Sequence, residues 1–182
     1  MTPPRPTPEQ LDAWVSETAQ RALGYAVTLV RNREDAEDVV HDCYSRLLAK
    51  RDQYDLPRDG TKLLFKSITN ACINLVQRRA PETSLDHLEF AGGRQNQALA
   101  DRRTAEPVQW AILHELESAV AQAMSELPLP QRAAIELRSL GHTLLEVAEM
   151  LDVSHANARV ILHRARTDLA ARLHPFIEDE TK

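Results

Sequence analysis

Through most of this chain, apolar residues recur at the three-to-four spacing of a helix face. From Glu9 to Val30 the stripe is Leu11, Trp14, Val15, Thr18, Ala22, Ala26, Leu29 and Val30. Asn32 interrupts it and suits the cap of a second helix, with Asp35 in the third position as a variant capping box. That helix, Arg33 to about Lys50, buries Ala36, Val39, Val40, Cys43, Leu47 and Leu48. Tyr54 to Thr61 holds Pro57 and Gly60 and reads as a loop. A third helix is expected from Lys62 to Arg79, with Leu64, Ile68, Ala71, Cys72, Leu75 and Val76 as its core face. Periodicity then fades from Ala80 to Pro107, too long a stretch for a loop inside a compact domain, so it reads as a linker. Helical spacing returns from Val108 to Leu127 through Ile112, Leu116, Ala119, Val120 and Ala123, and Pro128 and Pro130 break it. Gln131 to Leu140 forms a short helix that Gly141 ends.

The stretch from Thr143 to Arg166 reads as two short helices joined by a tight turn. Thr143 and Glu146 form a capping box, and Leu144, Val147, Ala148 and Leu151 follow on one face. Asp152 suits the turn, Val153 plugs its corner, and Ser154 caps the second helix. There Ala158, Leu162, Ala165, Leu169 and Leu173 form the apolar stripe. Its other faces carry His155, Asn157, Arg159, His163, Arg164 and Arg166, and from Ser154 to Leu173 four arginines stand against one acid. A helix-turn-helix places the start of its second helix in the DNA major groove, where Asn and Arg can pair with base edges and flanking cations hold phosphates. The pattern favours that module over a plain helical hairpin with a solvated basic face. Within it, Arg159 is expected to read a base and Arg166 to hold the backbone, while His155 serves the reading end or only the turn.

The fold class is therefore all-α: two small helical domains, 9–80 and 108–175, joined by a flexible linker, 81–107. The Pro-rich start, Met1 to Pro8, and the short acidic tail after Pro175 are expected to be mobile.

Two more faces carry unusual chemistry. Glu34, Asp35, Glu37, Asp38 and Asp42 are five acids within nine residues, with no Lys or Arg among them. The helix dipole accounts for Glu34 and Asp35. It accounts less well for Asp38 and Asp42, which lie a turn or more inside and suit a basic partner surface. On the third helix, Lys66, Asn70, Asn74, Gln77, Arg78 and Arg79 lie off the core face. They are either a solvated surface or one that meets single-stranded DNA, with amides pairing to an unstacked base and cations along the backbone.

Composition narrows the function. Aromatics at 4% and 5 glycines argue against a sandwich or barrel. The net charge of −5 restricts any DNA binding to local basic faces. No apolar run approaches the ~20 residues of a membrane span, and the first ten residues lack an apolar signal core. Cys43 and Cys72 lie in helical patterns and read as buried reduced thiols of a cytoplasmic protein. No Gly-rich phosphate loop, nucleophile–base pair or metal spacing appears, so neither an enzyme, a cofactor nor a metal site is expected.

Leu127–Pro128, Arg132, Leu137, Gly141, Glu146, Val147–Ala148, Leu151 and the run LHRAR at Leu162–Arg166 resemble region 4 of the extracytoplasmic-function sigma factors. These are small promoter-recognition subunits of bacterial RNA polymerase, within the sigma-70 family. Arg31 to Val40, RNREDAEDVV, resembles region 2 of the same family, whose usual form is close to R-D-x-x-D-A-E-D-L-V. LLFKSITNACINLVQRR resembles its region 2.3–2.4. Departures occur: Asp152 replaces the usual Gly, Val160 and Ile161 the commoner Ser and Arg, and Leu63 a frequent Trp. The resemblance implies a sigma factor that directs polymerase to promoters and assists their melting. It implies that Asp35, Glu37, Asp38, Val39 and Asp42 meet the polymerase core, at the β′ clamp helices, with the β flap as a further contact. Lys66, Asn70, Asn74, Gln77, Arg78 and Arg79 would meet the minus-ten element, with Asn70 on the base-contacting Asn. Ser154, His155, Asn157, Arg159, His163, Arg164 and Arg166 would meet the minus-thirty-five element. Control would come from a separate anti-sigma protein or from expression level. The alternative is a stand-alone helix-turn-helix regulator not stably bound to polymerase, which leaves the acidic helix and the Asn70 face unexplained.

Overall fold

The structure, a computed structural model, describes residues 6–79 and 107–178. Residues 80–106, which hold all but the last residue of the expected linker 81–107, lie outside them, as do most of the Pro-rich start and the last four residues. Among the described residues the chain forms seven α-helices and no strand. These are α1 (Pro8–Val30), α2 (Arg33–Ala49), α3 (Leu56–Arg79), α4 (Pro107–Ser125), α5 (Leu129–Ser139), α6 (Leu144–Met150) and α7 (His155–Glu178). Helices α1, α2 and α3 pack pairwise as one bundle, and α7 packs on α4, α5 and α6 as a second.

Local chemistry sets the ends. Thr7 and Gln10 form a reciprocal capping box at the start of α1. Arg31 ends α1 in the left-handed conformation, φ 59°, and Asn32 caps α2 by accepting from the Asp35 N–H at 3.1 Å. The second half of that expected capping box does not form, because the Asp35 carboxylate is engaged elsewhere. Thr143 and Glu146 make the complete box that starts α6.

Four expectations are corrected. Tyr54 to Thr61 is not a loop throughout, since α3 begins at Leu56. The Asp55 carboxylate accepts from the Arg58 N–H at 3.2 Å, and Pro57 in the first turn forfeits no helical donor. Gly60 is retained inside the helix by close packing: a Cβ there would lie 2.9 Å from the Trp14 indole. The short helix α5 begins at Leu129 rather than Gln131, with Pro130 in its first turn, where its missing N–H costs nothing. Leu116 is 45% exposed rather than on the α4 core face. Finally, α7 continues through Pro175 to Glu178, so the acidic tail begins as helix.

The two bundles share one apolar core. The buried cluster runs from Trp14, Tyr25, Leu29 and Phe65 of the first to Ala133, Leu137, Val147 and Met150 of the second. α3 lies on α6 and α1 on α5. Arg132, 7% exposed, donates to the Leu29 carbonyl at 2.9 Å near the end of α1, and to the Ser125 carbonyl at 3.1 Å at the end of α4. Arg21 donates to the Leu140 carbonyl at 2.9 Å, and Lys62 pairs with Glu149. Tyr25 is absent from the α1 stripe, yet it is fully buried, bonds the Thr69 hydroxyl at 2.7 Å and meets the Phe65 ring edge-on.

His142 completes the seam. Its ring meets Phe65 edge-on at 5.3 Å, and its Nε2 is buried with no hydrogen-bond partner among the described residues. Burial holds its pKa below the usual 6.5, with Arg21 adding to the effect and Glu146 opposing it. The unfolded chain therefore binds the proton more readily than the folded one. Stability from this group is present above about pH 6.5 and is lost as pH falls through the depressed value. The midpoint of urea unfolding is expected to drop between pH 7.5 and 5.5. His142→Phe, which keeps a ring against Phe65, should lose part of that drop; an unchanged pH slope would show that His142 is not its source.

Candidate nucleic-acid and protein contact surfaces

The acid row of α2 divides in the structure. Glu37, Asp38 and Asp42 are exposed, and Val39 is half-buried beside them. Glu37 also takes the Arg33 guanidinium at 2.8 Å, an exposed pair of one helical turn that adds little stability. Asp35 is different. Both its carboxylate oxygens face Arg79 at the end of α3, with one contact at 2.7 Å, and its side chain is only 17% exposed. The bidentate pair ties the start of α2 to the end of α3 and holds the Arg79 pKa above its usual value. Two residues expected to meet different partners are thus each other's partner in this structure.

On α3, Asn70, Asn74, Gln77 and Arg78 are exposed along one side, while Lys66 is half-buried. Thr69, Cys72 and Val76 turn inward. The amide and cation face therefore remains open to solvent although α6 packs on the same helix.

On α7, the Ser154 hydroxyl accepts from the Asn157 N–H at 3.2 Å and starts the helix as expected. Asp152 takes the left-handed turn at φ 55°, and Val153 is half-buried at the corner. Ala158, Leu162 and Ala165 are buried, and Leu169 and Leu173 half-buried. His155, Asn157, Arg159, His163, Arg164 and Arg166 are all exposed. Arg159, His163 and Arg166 gather with Arg138 of α5 around a recess of about 330 Å³, whose remaining lining is Leu144 and Leu162. No acid lines it, so it can take an anionic group such as a phosphate. Nothing in the local sequence marks Arg138, because its place beside α7 depends on how α5 crosses that helix. Arg172 is drawn away from any such surface, pairing at 3.0 Å with Glu126, just after α4.

The thiols of Cys43 and Cys72 are free and buried. Burial pushes the Cys72 thiol up to about 12 and raises that of Cys43, so neither is reactive near neutral pH. Among the described residues no helix is long and apolar enough to cross a membrane.

A helix-turn-helix with a cationic second helix, joined in one chain to an acidic helix and an amide-bearing one, defines a DNA-binding transcription protein. Comparison with known proteins makes this specific. Residues 14–82 match the model of Sigma-70 region 2, and residues 117–169 match that of Sigma-70, region 4. The chain is 26% identical over 150 residues to the ECF RNA polymerase sigma factor SigW of Bacillus subtilis, covering 80% of this chain and 79% of that one. Its fold resembles that of the sigma factor RpoE of Bartonella quintana, solved in complex with the anti-sigma factor NepR. That likeness has a TM-score of 0.66 at 20% identity and covers 90% of this chain and 98% of the other. The chain belongs to the extracytoplasmic-function group of the sigma-70 family and is a sigma factor of RNA polymerase.

Proposed function

We propose that this sigma factor both selects promoters and assists their melting, with the labour divided between its two bundles. Residues 9–80 bind the polymerase core and the minus-ten element, and residues 108–175 bind the minus-thirty-five element. The observation that carries this reading is the coexistence of three exposed faces of distinct chemistry: acids on α2, amides and an arginine on α3, and cations on α7. The acids suit the basic surface of the β′ clamp helices. Asn70 and Asn74 can hydrogen-bond a base drawn out of the stack, and Arg78 and Lys66 can follow the backbone. The protein then works in the cytoplasm, and control by a separate anti-sigma protein fits the complex known for its Bartonella relative.

Within this reading we assign Arg159 to the backbone rather than to a base. Arg159 lies on the same flank of α7 as Arg166, around one recess with Arg138 and His163. Both arginines then act as backbone clamps, and base reading passes to the outward side of the helix. The test begins with transcripts sequenced from core polymerase plus this chain. On the promoters recovered, Asn70→Ala should leave core binding intact and lower permanganate reactivity of the melted region several-fold. In the same promoter library, Arg159→Ala should weaken all sequences by a similar factor and lower the salt slope by roughly one. Unchanged permanganate reactivity would reduce Asn70 to a surface amide. A loss confined to one base position would return Arg159 to base reading.

A further inference from the structure

Among the described residues, the large hydrophobic side chains that stay exposed are Leu116, Leu145 and Val160. Of these, Val160 lies on α7 and is 46% exposed. It stands two residues after Ala158 and two before Leu162, both buried. At about 100° per residue it points roughly 160–200° away from them, straight out of the domain. Its surface neighbours one turn away are Ala156, Asn157, His163 and Arg164, all exposed and none acidic. The recess formed by Arg159 and Arg166 lies to one side of this line, and Asn157 and Arg164 to the other. An apolar, β-branched residue thus occupies the apex of a face whose charge suits DNA.

We propose that Val160 reads a thymine of the minus-thirty-five element by packing on its C5-methyl group. This rests on the reading that α7 enters the promoter's major groove. In that groove the thymine methyl is an apolar feature of the base edges, and small apolar side chains are its usual partners. Val160 and Ala156 together present two apolar groups on adjacent turns, while Asn157 and Arg164 can hydrogen-bond neighbouring edges. Cytosine offers no methyl at that position, so the contact distinguishes bases and not merely holds the duplex. The flanking arginines on the backbone fix the depth to which the apex enters.

The test uses holoenzyme made from core polymerase and the full chain, with a promoter recovered by transcript sequencing. Each thymine of the minus-thirty-five element, on either strand, is replaced in turn by deoxyuridine, which differs only in the missing methyl. Wild type is expected to lose affinity about three- to ten-fold at one position and to be unaffected elsewhere. Val160→Ala, which removes both γ-methyl groups, should lose most of the preference for thymine over deoxyuridine at that position. Val160→Thr, which retains one methyl, should keep part of the preference. Wild-type affinity insensitive to every replacement would overturn the proposal while leaving promoter binding by α7 intact. The proposal also fails if Val160→Ala keeps the wild-type preference, or if it weakens binding to core polymerase, which would place Val160 on a protein interface. Holoenzyme that fails to bind any promoter specifically would overturn the reading of α7 itself.

Discussion

Reversing Asp38 and Asp42 together to lysine is expected to lower affinity for core polymerase by about a hundred-fold or more at moderate salt, because like charges set against each other cost several kcal/mol. Both carboxylates are exposed, and among the described residues neither is tied to a cation. They lie beyond the first turn of α2, so the helix dipole gains little from them. The variant should therefore melt within a degree or two of wild type. Asp35→Lys is the instructive contrast. It breaks the bidentate pair with Arg79 and sets two cations together between α2 and α3. A loss of polymerase binding there would be accompanied by a lower melting temperature, and so would say nothing certain about the interface. Pull-down with core enzyme, alongside thermal melts of both variants, separates the two effects. Core affinity of Asp38→Lys/Asp42→Lys equal to wild type would remove the acid row from the interface.

Arg132→Met is expected to destabilise the protein by about 2–4 kcal/mol, since a buried acceptor left unpaired costs roughly 1–3 kcal/mol. Arg132 comes from α5 and serves carbonyls that their own helices cannot satisfy. One is Leu29, near the end of α1, and the others are Ser125, the last residue of α4, and Leu127 just beyond it, at 2.9, 3.1 and 3.4 Å. Burial and the nearby Arg31 lower its pKa to about 10, which still leaves it cationic at neutral pH. The helix-end carbonyls bear partial negative charge and take the place of a carboxylate partner. Methionine fills much of the volume but offers no donor. Lysine restores the charge without the planar fork that reaches carbonyls on two sides, so it should recover only part of the loss. At roughly 2–4 °C per kcal/mol for a chain of this size, the expected fall in Tm is about 5–15 °C. A fall under about 2 °C would mean that water satisfies these carbonyls equally well.

Much of this was legible in the chain of residues. The apolar stripes located seven helices because a 3.6-residue period is a property of each segment alone. Thr143 with Glu146, Asn32, and Ser154 marked helix starts because capping acts over a single turn. The spacing from Leu127–Pro128 through Val147–Ala148 to Leu162–Arg166, together with Arg31 to Val40 and the amide-bearing third helix in that order, carried the family resemblance. Local rules failed where a partner from elsewhere intervenes. Gly60 read as a loop residue because the Trp14 indole that rests on it lies far back in the sequence. Tyr25 fell outside the α1 stripe because its hydroxyl finds Thr69 only once α3 is in place.

By itself, then, the sequence determined the helices, their caps, the helix-turn-helix and the family, since all of these rest on interactions spanning one or two turns. Tertiary structure decided which exposed charges are available and which are already engaged. It paired Asp35 with Arg79 and placed Arg159 beside Arg138. It also joined the two bundles through Arg132, Phe65 and His142 rather than leaving them apart. The reason is that rotation and crossing of packed helices are set by the joint fit of many side chains across the core, and no single segment specifies them.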